Sequence, residues 1–200
     1  MTIRKTLGVT LAVCAIAPAA AFAATVTGTN GNDQLVGTSA ADTINALNGD
    51  DIAFGLGNKD TINGSGGSDI LFGDGSCPPG TTNVAYCSTG ESSSDGDDTI
   101  NGGSGFDALF GQGGADTIVG GADSDYIDGG SGNDALTGGD DGDVITGGSG
   151  ADSISGRAGN DLILARDGVK DTIQCGSGFD SVIADKSDSV SRDCESVSRA

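Results

Sequence analysis

Aspartates recur along this chain in a register of nine residues, and this register is the first feature that points to chemistry. Its members are Asp33, Asp42, Asp51, Asp60, Asp69, Asp98, Asp107, Asp116, Asp125, Asp134, Asp143, Asp152, Asp161, Asp171 and Asp180. Carboxylates are hard oxygen ligands, and the chain contains no His to offer a softer one. Carboxylates repeated at a fixed spacing therefore predict the binding of hard cations.

The residues around each aspartate predict a turn followed by a short strand. An aliphatic residue stands two places after almost every register aspartate, and glycine usually fills the first, second and fourth places of each unit. Glycine suits positions where φ is positive or where two backbones approach closely. In some units the fourth place holds Asn58, Asp123 or Asp141, residue types that tolerate left-handed geometry. Six residues ending in Asp therefore predict a turn, and the next three predict a strand with its aliphatic side chain inward.

This unit resembles the RTX, or haemolysin-type, calcium-binding nonapeptide G-G-x-G-x-D-x-U-x, where U is aliphatic. The resemblance covers residues 28–183. In that family two nonapeptides form one coil of a parallel β-roll, so the resemblance implies an all-β, right-handed β-solenoid. Residues eighteen apart would then stack in two ladders. The first ladder holds Asp33, Asp51, Asp69, Asp107, Asp125, Asp143, Asp161 and Asp180, and the second holds Asp42, Asp60, Asp98, Asp116, Asp134, Asp152 and Asp171.

The resemblance also implies that several calcium ions are bound, with the fifteen register aspartates as metal ligands. In the family, the Asp side chain and turn carbonyls of adjacent coils share each ion. Carboxylates stacked at the ~4.8 Å spacing of strands repel each other by about 1 kcal/mol in water and by more where they are partly buried. A divalent cation between successive turns removes that repulsion. Eight aspartates in one ladder and seven in the other allow at most thirteen such inter-turn sites.

The first 23 residues predict a secretory signal peptide. Arg4 and Lys5 precede a short apolar stretch, and the small residues Ala21 and Ala23 mark an expected cleavage site. The apolar stretch is too short to span a bilayer, and no second one follows, so no transmembrane segment is predicted. The mature protein is expected to begin near Ala24 and to be secreted to the extracellular space. Lipid attachment at Cys14 is a less favoured alternative.

The charge balance narrows the range of partners. Two of the nine basic residues fall in the signal peptide, which leaves seven basic residues against 29 acidic ones. Nucleic acids and anionic membrane surfaces both select Lys and Arg, so this balance argues against both as partners. It favours a cation. Few aromatic residues and many glycines also describe disordered chains, but disorder gives no reason for a strict register.

Departures from the register predict a loop and a cap. Twenty additional residues between Asp69 and Asp98 predict an insertion at 73–92 in one turn. An exported chain with four cysteines after its signal is expected to form disulfides, and the local pairs Cys77–Cys87 and Cys175–Cys194 are favoured over free thiols. The first pair would staple the insertion. The second would hold residues 184–200 as the C-terminal cap of a roll that spans 24–183.

The outward strand positions predict an apolar column on the first ladder. Phe54, Phe72 and Phe110 fall in one register position there. Because exposed apolar surface is usually covered or used for binding, we expect Val84 and Tyr86 of the insertion to pack over the column. A contact with a partner protein or a second copy is the alternative.

The second ladder instead repeats Thr-Ile-Asn at 43–45, 61–63 and 99–101. Such rows of Thr and Asn resemble those of ice-binding solenoids. They are more often simple packing on a strand face, so ice binding is not favoured.

Taken together, the patterns predict a secreted, non-catalytic calcium-binding β-roll that folds on extracellular calcium and serves as a scaffold, matrix or adhesion component. The alternative is a recognition module that binds a protein or glycan through the insertion or the Phe column. No enzyme is predicted: the absence of His excludes Ser–His–Asp and His–zinc sites, and nearly every Asp already has a place in the repeat.

Overall fold

The computed structural model describes residues 22–75 and 95–199, and these residues form strands and turns without a helix. The strands are β1 (Thr25–Thr27), β2 (Gln34–Val36), β3 (Thr43–Asn48), β4 (Ile52–Leu56), β5 (Thr61–Gly66), β6 (Ile70–Asp74), β7 (Thr99–Ser104), β8 (Ala108–Gly113), β9 (Thr117–Ala122), β10 (Tyr126–Ser131), β11 (Ala135–Gly139), β12 (Val144–Ser149), β13 (Ser153–Ala158), β14 (Leu162–Ala165), β15 (Thr172–Ser177), β16 (Ser181–Ala184), β17 (Ser189–Val190) and β18 (Ser196–Arg199). Accordingly, the described part of the chain holds no helix with the length and apolarity to cross a membrane.

The strands form two parallel sheets of nine strands each. All odd-numbered strands lie in one sheet and all even-numbered strands in the other, each in chain order. Every strand pairs in parallel with the strands two before and two after it. This alternation is that of a chain wound as a β-solenoid with two strands per coil, which confirms the predicted parallel β-roll.

The register of the sheets confirms the predicted ladders. Ile127 in β10 pairs with Leu109 in β8 and with Ile145 in β12, each eighteen residues away. Across the insertion, Ile62 in β5 pairs with Ile100 in β7, so the additional residues leave the ladder unchanged. Strand β6 runs through Asp74, so the excursion begins at least two residues later than the predicted start at residue 73.

Most strands are longer than the three residues that the sequence predicts. Strand β10, for example, has six residues and continues through the glycine pair Gly129 and Gly130. The glycine pairs keep the ladder because they pair with the glycines of the next coil, as Gly130 does with Gly148. The chain still bends there, since Gly130 has a φ of 98°. The turn and the strand therefore share residues.

The fourth place of the unit is left-handed, as predicted. Asn58, Asp123 and Asp141 have φ values of 65°, 72° and 64°. In most units the second place is also left-handed, even where the residue is Leu47 or Arg157, with φ values of 83° and 80°. These non-glycine residues bear a conformational cost that the packing of neighbouring coils must offset.

The core is a double file of aliphatic side chains along the axis of the roll. The inward residue two places after each register aspartate is no more than 1 % exposed in all fifteen units. These residues are Leu35, Ile44, Ala53, Ile62, Leu71, Ile100, Leu109, Ile118, Ile127, Leu136, Ile145, Ile154, Ile163, Ile173 and Val182. The next inward place is usually glycine, and elsewhere it is a small buried residue such as Ala46, Ala165 or Cys175, which leaves room for one aliphatic side chain in each half-coil.

The C-terminal segment continues the roll as a final coil. Strands β17 and β18 pair with β15 and β16, and Cys175 forms the predicted disulfide with Cys194. The function of this coil as a cap stays a prediction. The predicted pair Cys77–Cys87 and the residues Val84 and Tyr86 lie outside the described residues, as do residues 1–21 of the predicted signal peptide.

The apolar column is present but less exposed than the sequence suggests. The rings of Phe54 and Phe72 stack at 4.5 Å between centroids, and those of Phe72 and Phe110 at 4.9 Å. Phe54 is buried and the other two are half-buried, because each ring covers the face of the next. On the other sheet, Asn63 donates a hydrogen bond of 3.0 Å to the side chain of Asn45, which makes the Asn row a simple stacked ladder.

The thin double file of core residues predicts a large effect of one truncation. Ile127 is fully buried, so Ile127→Ala should destabilise the calcium-loaded protein by about 2–5 kcal/mol. The matched control Val119→Ala, at a side chain that is 37 % exposed, should cost well under half as much. Urea unfolding followed by circular dichroism measures both. Equal losses at the two positions would contradict an inward file of aliphatic residues.

Candidate metal centre

The fifteen register aspartates lie in two files along the roll, as predicted. One file precedes the odd-numbered strands and the other precedes the even-numbered strands. Every one of them is buried, with an exposed fraction between 0 and 4 %. The turn geometry places each carboxylate inside the coil and close to the backbone of its neighbours, where ionised groups are costly unless they are paired.

One carboxylate oxygen of every register aspartate after Asp33 accepts a backbone hydrogen bond from the coil before it. The Asp107 N–H donates to Oδ1 of Asp125 at 2.9 Å, and the Asp125 N–H donates to Oδ1 of Asp143 at 2.8 Å. The same bond spans the insertion, where the Asp60 N–H donates to Oδ1 of Asp98 at 2.7 Å. Each carboxylate therefore faces a backbone donor instead of the carboxylate of the next coil, which reduces the stacking repulsion that the sequence suggests.

The second oxygen of most register aspartates has no donor. In thirteen of the fifteen, Oδ2 is buried and accepts no hydrogen bond within the part of the chain that the structure describes. They are Asp51, Asp60, Asp69, Asp98, Asp107, Asp116, Asp125, Asp134, Asp143, Asp152, Asp161, Asp171 and Asp180. A buried acceptor without a partner costs about 1–3 kcal/mol, and more when it is charged. A ladder of such oxygens requires a cation or protons.

In most turns the first place is a glycine, and there a backbone carbonyl oxygen from the next coil lies close to this carboxylate oxygen. A Cβ added to Gly129 would lie less than 3.0 Å from both Oδ2 of Asp134 and the carbonyl oxygen of Gly147. The same holds at Gly102 for Oδ2 of Asp107 and the carbonyl oxygen of Gly120. At these glycines two hard oxygen atoms from successive coils thus converge on a space that a Cβ would fill, which is an arrangement that suits calcium.

These glycines show what sequence reasoning missed about the first place of the unit. Gly129 and Gly102 do not have a positive φ, so the first glycine is required for space and not for a left-handed turn. The site also cannot consist of side chains alone. Within residues 22–75 and 95–199, no group of three or more His, Cys, Asp or Glu side chains could hold a metal ion. An ion held between the coils would therefore also need backbone carbonyl oxygens as ligands.

Asp74 is a buried acid that the register does not include. It occupies the second place of the turn that the insertion enlarges, it is fully buried, and its carboxylate accepts the Gly96 N–H at 3.1 Å. This bond joins the two ends of the insertion. The only sequence signal was an acidic residue at a place where glycine is usual.

Burial raises the pKa of most register aspartates. The pKa rises to about 9 at Asp98, about 8 at Asp116, about 7 at Asp60, Asp125 and Asp143, and about 6 at Asp51, Asp107, Asp134 and Asp171. Desolvation is the largest cause, neighbouring carboxylates add to it, and the N–H bond to Oδ1 opposes it. At Asp98 the charge of Asp74 contributes more than the charges of the ladder neighbours.

The raised pKa values predict an unusual pH dependence for the calcium-stripped protein. Protonated carboxyls suit the buried positions, so their contribution to stability is complete below the ordinary pKa of 3.8 and is lost as the pH rises through about 6 to 9. Far-UV circular dichroism of calcium-stripped protein should therefore show more β structure at about pH 5 than at about pH 8. The lower of these two pH values lies above the isoelectric point, which is near 4.1.

With calcium present the order should reverse, because calcium binds the ionised carboxylates and protons compete with it. The same measurement at a fixed calcium concentration is the control. A calcium-stripped protein that loses β structure on acidification would contradict the buried, donor-free oxygens.

Comparison with known proteins agrees with this geometry. No curated protein matches the chain. The profile of the RTX calcium-binding nonapeptide repeat matches residues 27–58, 47–76, 92–127, 102–136, 110–145 and 137–169, which together include more than half of the chain. The matched residues contain both files of aspartates from Asp33 to Asp161. The protein therefore belongs to the family of RTX calcium-binding nonapeptide repeat proteins, and it is a calcium-binding β-roll.

Proposed function

We propose that the protein is secreted, that calcium outside the cell folds it, and that the folded roll is a non-catalytic extracellular scaffold, matrix or adhesion component. The observation that carries the proposal is the double file of buried Oδ2 atoms without donors. At neutral pH these oxygens make the roll unfavourable unless a cation binds between the coils. The ligands we propose are the donor-free register aspartates with the carbonyl oxygens of the first glycines.

The expected affinity suits an extracellular switch. Each site offers one carboxylate oxygen and neutral carbonyls, with few charges per ion. Extracellular calcium modules of low charge bind with dissociation constants of about 10⁻⁴–10⁻³ M, well above calcium levels inside cells. A chain with the predicted signal peptide would thus stay unfolded before export and would fold afterwards.

The shape of the roll supports a scaffold in preference to an enzyme. Nine coils at ~4.8 Å per coil make a rod of about 40 Å with two flat sheet faces. The register carboxylates are buried and hydrogen-bonded to the backbone through Oδ1, which leaves none of them exposed for acid–base chemistry. The chain has no His to take that role.

The aromatic column favours recognition of a protein or glycan as a second candidate function. Phe110 contacts Tyr126 at 5.7 Å between ring centroids, which extends the stack of rings to a fourth aromatic residue. Beside them Ile70 is 39 % exposed. Binding of the calcium-loaded protein to immobilised glycans, with Phe72→Ser and a deletion of residues 76–92 as variants, tests this candidate. Binding that both variants retain would exclude it.

The main proposal predicts a calcium-dependent folding transition. Mature protein, residues 24–200, should show little β signal in far-UV circular dichroism with a chelator at neutral pH and should gain most of its β signal cooperatively with calcium, at a midpoint of about 0.1–1 mM. Magnesium should not substitute, because it demands octahedral geometry and gives up water reluctantly. Asp134→Asn should raise the calcium midpoint several-fold, since it removes one donor-free ligand.

The control is Asp140→Asn, which removes an equal charge from an exposed position outside the register. It should leave the midpoint nearly unchanged. A protein that is fully folded in chelator at neutral pH would refute the calcium switch, and a protein that stays unfolded at millimolar calcium would refute the calcium-dependent roll.

A further inference from the structure

At the two ends of the roll, protein hydrogen-bond donors satisfy the buried carboxylate oxygens that have no donor in its middle. We propose that the turns closed by Asp33, Asp42 and Asp188 hold their shape without calcium, and that the calcium ladder is confined to the turns from Asp51 to Asp180. This inference rests on the proposed calcium-dependent folding and adds to it a boundary at each end.

At the N-terminal end, threonine supplies what calcium supplies elsewhere. The backbone N–H of Thr29 and its hydroxyl both donate to Oδ2 of Asp33, the hydroxyl at 2.9 Å. The next turn repeats the arrangement, with the N–H and hydroxyl of Thr38 donating to Oδ2 of Asp42, the hydroxyl again at 2.9 Å. These are the two register aspartates whose Oδ2 has protein donors.

One difference lies at the second place of the turn. In eleven of the thirteen middle turns this place has a positive φ, at Ser65 (84°) and Gln112 (76°) as well as at glycines, and the two exceptions, Asp74 and Arg166, offer no donor to Oδ2. Thr29 and Thr38 do not have a positive φ. Branching at Cβ makes left-handed geometry costly for threonine. The turn takes another shape, in which the threonine N–H points at Oδ2.

Such a carboxylate is a poor calcium ligand. Two hydrogen atoms already lie against its Oδ2, and a cation bound there would have to displace both donors and leave the half-buried threonine N–H without its acceptor. The donors therefore make these turns stable without metal and also oppose metal binding.

The C-terminal end uses other groups to the same effect. Both oxygens of Asp188 accept backbone hydrogen bonds, Oδ1 from Asp171 at 3.1 Å and Oδ2 from Asp185 at 2.6 Å. The guanidinium of Arg199 donates to the carbonyl oxygens of Asp185 and Asp188 at 3.2 and 3.0 Å. A side-chain cation thus binds carbonyl oxygens at the end of the roll, and the Cys175–Cys194 disulfide ties this coil to the one before it.

The consequence is a roll with two calcium-independent ends and a calcium-dependent middle. The donor-free oxygens number thirteen, which is fewer than the fifteen aspartates of the register. The end coils cover the ladders of the middle coils, which would otherwise present unpaired strands. They also offer a formed template on which the middle coils can stack when calcium arrives.

Calcium counting by equilibrium dialysis of the mature protein at saturating calcium tests the boundary. The double variant Asp33→Asn/Asp42→Asn should bind as many ions as the wild type. The matched double variant Asp116→Asn/Asp125→Asn, which also removes one consecutive aspartate from each file, should lose about two ions. Asp188→Asn should lose none. Loss of ions from the N-terminal double variant equal to that from the middle one would overturn the inference.

A gain of sites provides the second test. Thr29→Gly/Thr38→Gly restores the family's glycine at the second place and removes both hydroxyl donors, so the ion count should rise by one or two. Thr117→Gly, on an exposed strand position, is the control and should not raise it. An unchanged count in the glycine double variant would overturn the role given to threonine.

The two proposals fail in different ways. A wild type that binds no calcium refutes the proposed function. A wild type that binds calcium while the Asp33→Asn/Asp42→Asn variant loses ions refutes only the boundary at the ends of the roll.

Discussion

The structure depends on a repeated buried carboxylate whose two oxygens have different surroundings. One oxygen accepts the N–H of the preceding coil, which fixes the stacking distance and the register. The other faces a carbonyl oxygen of the following coil and lacks a donor in thirteen turns. The hydrogen bond to Oδ1 makes the geometry of the coil specific. The donor-free Oδ2 makes the stability of the coil depend on an added positive charge. Stability and calcium dependence therefore arise from the same side chain.

Because the core is thin, the burial of apolar side chains does not remove the need for a positive charge beside the donor-free oxygens. Each half-coil buries one aliphatic side chain and much glycine, and glycine loses the most conformational entropy on folding. A larger core could tolerate a few donor-free carboxylates. In this roll each coil buries few apolar side chains, so the ions that we propose between the coils would be structural components that stand in for a core.

The sequence predicted the repeating parts of the molecule well and its exceptions poorly. The two ladders, the inward file from Leu35 to Val182 and the left-handed fourth place all follow from periodicity and residue type. Periodicity does not predict three features of the site: the different partners of Oδ1 and Oδ2, the space left by Gly129, and the hydrogen-bond donors Thr29 and Thr38. They depend on how a side chain is oriented relative to a neighbouring coil, and the one-dimensional pattern treats all fifteen aspartates as equal. Asp74 was missed for the same reason.

The pairing of Ile62 with Ile100 across the insertion has a consequence for how such a chain can change over generations. Each coil contacts only the coil below and the coil above. An extra segment that starts and ends at one turn therefore leaves the pairing of the other coils unchanged. A duplication or deletion of eighteen codons would therefore lengthen or shorten the rod by one coil and leave every other pairing intact. Length and ion capacity can thus vary together in discrete steps, while the end coils retain their own sequence.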